Sequence, residues 1–164
     1  MENLILNHQQ IEHKIRRIAF QVLESNIQEG EIILAGIASN GYILAEKIGG
    51  ALSKICDAKI SLCKVHIDKS NPFAPITTSL DVNDYTSKSL VLIDDVLHTG
   101  TTLIYSVNHF LKVPLKQFKT AVLVNRNHKK YPVKADFKGI SLSTSLQENV
   151  EVVFDSKNSK VTLG

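Results

Sequence analysis

At 164 residues, with 43% hydrophobic and 21% charged side chains, the chain fits one domain able to bury roughly 70% of the surface its unfolded form exposes, with no room for a second large one. Eight glycines and four prolines exclude collagenous and low-complexity architectures, and a formal net charge of +3 permits a polyanionic partner without demanding one. No apolar run approaches the roughly 20 residues of a bilayer span, and the start MENLILNHQQ lacks the basic-then-apolar layout of a secretory signal, which predicts a cytoplasmic protein.

Between Gln9 and about Gln28, Ile11, Ile15, Ile18 and Val22 recur at 4-3-4 spacing and predict an amphipathic helix. EIILAGI, residues 31 to 37, is a continuous apolar run suited to a strand covered on both faces. The chain then turns between Gly36 and Gly41 into a helix carrying Leu44, Ile48 and Leu52 at helical spacing. KISLCKVHI, 59 to 67, reads as a strand containing Cys63, and Cys63 and Cys56 are expected to be buried, reduced thiols because they form no CxxC pair. Residues 68 to 88 hold two prolines and many Ser, Thr, Asn and Asp residues, which predicts a long irregular insertion of the kind that serves as a lid or binding loop.

SLVLIDD, 89 to 95, is a second buried-type strand, and residues 101 to 112 follow as a helix with Ile104, Val107 and Leu111 facing inward. FKTAVLVN, 118 to 125, returns as a strand; beyond Arg126 the patches ADFKGI and VEVVF predict small strands set apart from the main sheet. Apolar strands alternating with helices of about a dozen residues predict an α/β fold, with a mainly parallel sheet, right-handed crossovers and helices on both faces.

Chemistry concentrates in SLVLIDDVLHTGTTL, residues 89 to 103. Two adjacent carboxylates, Asp94 and Asp95, close an apolar strand, and Thr99, Gly100, Thr101 and Thr102 lead directly into a helix. Ligands of open parallel sheets bind beyond the carboxyl ends of the strands, where this turn must lie. Free N–H groups, hydroxyls and the positive end of a helix dipole suit a phosphate, while the acids suit sugar hydroxyls or a water-bridged Mg²⁺. A threonine-glycine turn alone serves equally as an N-cap; the carboxylate pair, costly at a strand end unless solvated or in use, favours a sugar phosphate site. Gly36 and Gly41 are followed by Tyr-Ile instead of Lys-Ser/Thr, so no nucleotide-binding P-loop is present, and the six histidines show no structural-metal spacing.

The block VLIDDVLHTGTT resembles the 5-phosphoribosyl-1-pyrophosphate signature of type I phosphoribosyltransferases. IEHKIRRIAFQVLESN, GIASNGYILAEKI and AVLVNRNHKKYPVKADFKG resemble, in order and spacing, that family's pyrimidine operon regulators with uracil phosphoribosyltransferase activity. The resemblance implies transfer of phosphoribosyl from phosphoribosyl pyrophosphate to a nucleobase, uracil first, with Mg²⁺ as cofactor, in a homodimer or higher homo-oligomer. It places Asp94 and Asp95 on the ribose hydroxyls, with Mg²⁺ held indirectly through water, and Thr99, Gly100, Thr101 and Thr102 on the 5-phosphate. Ala38, Ser39, Asn40 and Gly41 become the pyrophosphate loop, His98 a proton shuttle, and Arg126, Phe137 and Lys138, beside Asp136, the lining of the base pocket.

Three departures stand out. Ala38, Ser39 and Asn40 supply no cation where relatives usually carry basic residues, Thr101 stands where arginine is common, and the segment 64 to 88 is shorter than the family's flexible hood. Weakened or altered catalysis is one expected consequence, and a binding domain without turnover is another. An RNA-binding regulator that uses the site as a nucleotide sensor is the rival from a different class, and the modest charge argues against strong phosphate-backbone affinity.

Overall fold

In the computed structural model, residues 2–145 and 147–164 are described. The elements run β1 (Asn3–Leu6), α1 (His8–Glu24), β2 (Glu31–Ile37), α2 (Asn40–Ser53), β3 (Lys59–His66), β4 (Thr77–Thr78) and α3 (Val82–Tyr85). They continue as β5 (Ser89–Leu97), α4 (Thr101–Phe110), β6 (Gln117–Arg126), β7 (Phe137–Leu142), β8 (Val150–Val153) and β9 (Lys160–Leu163). A six-stranded sheet has the order β4-β3-β2-β5-β6-β7, parallel except for β4, and a three-stranded antiparallel sheet has the order β1-β9-β8.

The continuous apolar runs take the centre of the larger sheet because both of its faces are covered. Alternate residues of β2 divide between them: Ile32 and Leu34 pack with Ile11, Ile18, Leu44 and Ile48 of α1 and α2, whereas Ile33, Ala35 and Ile37 pack with Leu103 and Phe110 of α4. Helix α1 starts from a capping box in which Asn7 and Gln10 exchange side-chain and backbone hydrogen bonds, both 2.9 Å. Its predicted stripe is buried, but it stops at Glu24 instead of reaching Gln28. The buried Asn26 turns the chain there, donating to the Val22 carbonyl at 2.7 Å and accepting from the Ser89 hydroxyl.

Four expectations need correction. In α4 the buried residues are Leu103, Ser106 and Phe110, while Ile104 and Val107 are half-buried and Leu111 is 61% exposed. The phase follows Phe110, whose ring meets Tyr85 and Phe118 edge-on at 5.2 and 6.0 Å; Ser106 is satisfied by donating to the Thr102 carbonyl at 2.8 Å. The ADFKGI patch is not set apart: β7 pairs in parallel with β6 as the edge of the main sheet. Only VEVVF, in β8, belongs to the separate sheet, together with the unanticipated β1 and β9.

Third, the 68 to 88 segment is not irregular throughout. β4 pairs antiparallel with β3, and Ile76, Leu80 and the buried Tyr85 pack on the core, anchoring its second half. Fourth, Cys63 is buried but Cys56 is only half-buried; both are free thiols, and burial pushes the Cys63 thiol up from its ordinary value. No described helix is long and apolar enough to cross a membrane.

Candidate active site

The parallel strands β2, β5 and β6 end on the same side of the sheet, and a cavity of about 440 Å³ opens there. Its floor is the acid pair. Strand β5 keeps one register with β6 through Asp94↔Val122 and Val96↔Val124, which carries Asp95 between them toward the end of the strand. Each carboxylate is then fixed by the next backbone N–H: Asp95 N donates to Asp94 Oδ1 at 2.9 Å and Val96 N to Asp95 Oδ1 at 2.8 Å. Asp94 is buried and Asp95 half-buried. Burial, and then the neighbouring Asp95 charge, raise the Asp94 carboxyl well above the usual carboxylate range, opposed by the charge of Lys69.

The loop before α2 meets this floor from one side. Ala38 N donates to the Val65 carbonyl at 2.9 Å, and the Ala38–Ser39 peptide is cis. Asn40 Nδ2 donates to Asp95 Oδ2 at 3.1 Å, and a Cβ on Gly41 would lie 2.8 Å from the Ile93 carbonyl and 3.0 Å from Asp94 Cα. Only glycine therefore lets α2 approach β5 this closely. Ala38 and Ser39 form no part of the cavity wall.

On the other side lies the turn into α4. Gly100 takes a left-handed conformation, φ 89°, and Thr99 Oγ1 sits 3.0 Å from Thr101 Oγ1. Thr99, Gly100 and Thr102 line the cavity; Thr101 does not. Gly100 provides no side-chain cap for α4; the Thr101 N–H is taken by Thr99 Oγ1 at 3.3 Å, which leaves the N–H groups of Thr102 and Leu103 available to an anion. The turn is pinned from behind, where the Thr99 carbonyl accepts Lys130 N at 2.8 Å and Tyr131 N at 3.0 Å.

The far wall joins the two sheets. Arg126, buried at the end of β6, donates through Nε and Nη2 to Thr144 Oγ1 at 2.9 and 2.6 Å, and through Nη2 to the Ser145 and Glu148 carbonyls at 2.9 and 2.8 Å. None of these partners is a carboxylate. The tether brings Asn149 and Val150 into the wall, and Asn149 is held by backbone bonds to Gly164 of 2.6 and 2.9 Å. His98 lines the cavity with its side chain exposed; partial burial, and then the Arg126 charge, lower its pKa.

Of the expected site residues, Asp94, Asp95, His98, Thr99, Gly100, Thr102 and Arg126 share this cavity, and Asn40 and Gly41 touch its floor. Phe137 and Lys138 are elsewhere. Phe137 pairs with Ala121 in mid-sheet, roughly 16 Å of strand before β6 reaches Arg126, and its ring packs on the α1 side of the core. Lys138 is exposed, its carbonyl accepting Arg17 Nη2 at 2.6 Å. Sequence reasoning overlooked Lys69, Asn149 and Val150. For Lys69 a signal existed, since it lies three residues beyond His66, the carboxyl end of β3, where ligands of such sheets gather.

Among the described residues no group of three or more His, Cys, Asp or Glu side chains could cage a metal ion. The adjacent carboxylates of Asp94 and Asp95 are hard oxygen donors that fit Mg²⁺, an ion that keeps several waters and takes one or two carboxylates plus substrate phosphates.

A family profile described as phosphoribosyl transferase domain matches residues 2–156. A curated relative named Bifunctional protein PyrR, from Macrococcus caseolyticus, is 30% identical over 97% of this chain and 95% of its own. Its namesake from Staphylococcus aureus is 33% identical over the same shares, 97% and 95%. Among solved structures, the hypoxanthine phosphoribosyltransferase of Trypanosoma cruzi aligns with a TM-score of 0.76 at 14% identity, covering 97% of this chain and 95% of that one. A hypoxanthine-guanine phosphoribosyltransferase from Bacillus anthracis aligns with a TM-score of 0.71 at 18% identity, covering 86% and 82%. These structural likenesses establish the shared fold.

Proposed function

Because the chain belongs to the phosphoribosyl transferase domain family, we propose that it transfers the 5-phosphoribosyl group from phosphoribosyl pyrophosphate to a nucleobase, uracil being the first candidate, and releases pyrophosphate. The observation that carries this reading is one cavity lined both by an adjacent carboxylate pair and by Thr99, Gly100 and Thr102 at the start of α4. A ligand that is anionic at one end and a diol in the middle satisfies both.

In this reading the 5-phosphate sits on the turn, with Thr99 and Thr102 hydroxyls and the N–H groups of α4 as donors. Asp94 and Asp95 accept hydrogen bonds from the ribose hydroxyls and hold Mg²⁺ through water; when bound, Mg²⁺ neutralises pyrophosphate oxygens. The loop from Ala38 to Gly41 borders the leaving group with backbone dipoles, while the Asn40 amide, whose two protons go to Asp95 Oδ2 and the Val152 carbonyl, holds that loop against the acid pair. At the opposite wall Arg126 Nη1, which makes no hydrogen bond among the described residues, is a donor for a base carbonyl, with Asn149 and Val150 bordering the ring. His98, with its lowered pKa, is neutral at neutral pH and able to accept the proton that the base nitrogen loses.

The protein's task is then positioning: holding the base nitrogen in line with C1, stabilising charge as it develops on pyrophosphate, and excluding water. The test is Asp94→Asn combined with Asp95→Asn. Calorimetric titration with phosphoribosyl pyrophosphate and Mg²⁺ is expected to show binding abolished with the fold intact by circular dichroism. Pyrophosphate release with each common base in turn identifies the acceptor; undiminished affinity in the double variant refutes the roles of the acids.

A further inference from the structure

We propose that Lys69 is the cation that receives the departing pyrophosphate, an assignment resting on the phosphoribosyl-transfer reading above. As the base nitrogen bonds to C1, the bond from C1 to the pyrophosphate oxygen breaks and both its electrons stay with that oxygen, so negative charge grows there. Such charge calls for a positioned donor. Near that end of the ribose the fold presents mostly the wrong sign: Asp94 and Asp95 on the floor, and an Ala38-Ser39-Asn40-Gly41 loop with no charged side chain.

Lys69 and Arg126 are the cationic side chains among the residues that line the cavity. Arg126 is committed to the far wall by its bonds to Thr144, Ser145 and Glu148. Lys69 arrives from the loop side, because the end of β3 that leads to it is bonded to that loop through Ala38 N and the Val65 carbonyl. Its backbone is held by the turn around it: Asp68 Oδ1 accepts Ser70 N at 2.9 Å, Ser70 Oγ at 2.6 Å and Asn71 N at 3.3 Å.

The ammonium itself is uncommitted. Among the described residues Lys69 forms no salt bridge within 4.0 Å and no side-chain hydrogen bond, yet its charge is felt at Asp94. A fixed backbone with a free, four-carbon cationic arm beside a carboxylate floor is the arrangement that lets a polyanion draw the ammonium across on binding. Lys69 keeps its proton throughout and donates a charge-assisted hydrogen bond to the leaving oxygen.

The experiment compares the parent chain with Lys69→Met and Lys69→Arg, each titrated separately with inorganic pyrophosphate plus Mg²⁺ and with ribose 5-phosphate. Lys69→Met is expected to weaken pyrophosphate binding by about tenfold or more, leave ribose 5-phosphate affinity unchanged and lower kcat by about 10²-fold. Lys69→Arg should restore most of the pyrophosphate affinity. If the parent binds ribose 5-phosphate but either fails to bind pyrophosphate or binds it no better than Lys69→Met does, the assignment of Lys69 is overturned. If the parent binds neither ligand, the transfer reading itself falls and takes this assignment with it.

Discussion

The side-chain amide of Asn40 donates at once to Asp95 Oδ2, at 3.1 Å, and to the Val152 carbonyl, at 2.9 Å. One residue thereby ties the loop before α2 to the acid pair of β5 and to strand β8 of the smaller sheet. Asn40→Asp removes both donors and sets a third carboxylate against Asp94 and Asp95. Like-charge crowding and an unmet carbonyl are expected to lower affinity for phosphoribosyl pyrophosphate by about 10- to 100-fold, with Asn40→Ala milder because it adds no charge. Calorimetry on the two variants checks the order, and equal losses would show that the charge is irrelevant.

Gly100 makes the phosphate turn possible, and the reason is steric. Its φ of 89° is unfavourable for any side chain, and a Cβ there would meet Val133 Cγ1 at 2.6 Å. Gly100→Ala should therefore cost about 1–3 kcal/mol in stability and reduce ribose 5-phosphate affinity while leaving pyrophosphate binding in place. Gly50, in exposed helix with nothing within 4 Å of its virtual Cβ, is the control. Gly50→Ala should stabilise by about 0.5–1 kcal/mol. Urea melts of the two variants should move in opposite directions.

Much of the cavity was readable in advance because its parts lie within a few residues of one another: Asp94 and Asp95 end a strand, and Thr99 to Thr102 begin the next helix. Local periodicity locates such a strand–turn–helix unit without long-range information. The far wall is different. Asn149 and Val150 reach the cavity through the Arg126 tether and the pairing of Asn149 with Gly164, contacts between residues far apart in the chain that no local pattern encodes. Phe137 shows the same limit: the resemblance assigns it to the base pocket, while the β6–β7 register sets it against Ala121. The phase of α4 turned on Phe110 finding aromatic partners in Tyr85 and Phe118, one from α3 and one from β6.

The opposite end of the sheet offers a pH test separable from the site. Glu31, at the start of β2, accepts Lys88 Nζ at 2.8 Å and Ser61 Oγ at 2.6 Å, with Lys59 Nζ at 3.7 Å, so it joins the starts of three neighbouring parallel strands. The Lys88 hydrogen bond, followed by that of Ser61, holds its carboxyl below the ordinary value of 4.5. A carboxylate with a depressed folded pKa contributes stability that is fully present above the unfolded value and fades as pH falls from there through the folded one. Both partners are partly solvated, so the contribution is about 0.5–1 kcal/mol. Glu31→Gln should thus destabilise the protein by that amount at pH 7, with the difference from the parent shrinking as the pH drops below about 4.5. Ribose 5-phosphate affinity should not change, because Glu31 lies at the amino ends of the strands whose carboxyl ends form the cavity. Urea denaturation of parent and variant across pH 3 to 7 measures this, and a gap constant over that range would mean that Glu31 acts by packing instead of charge.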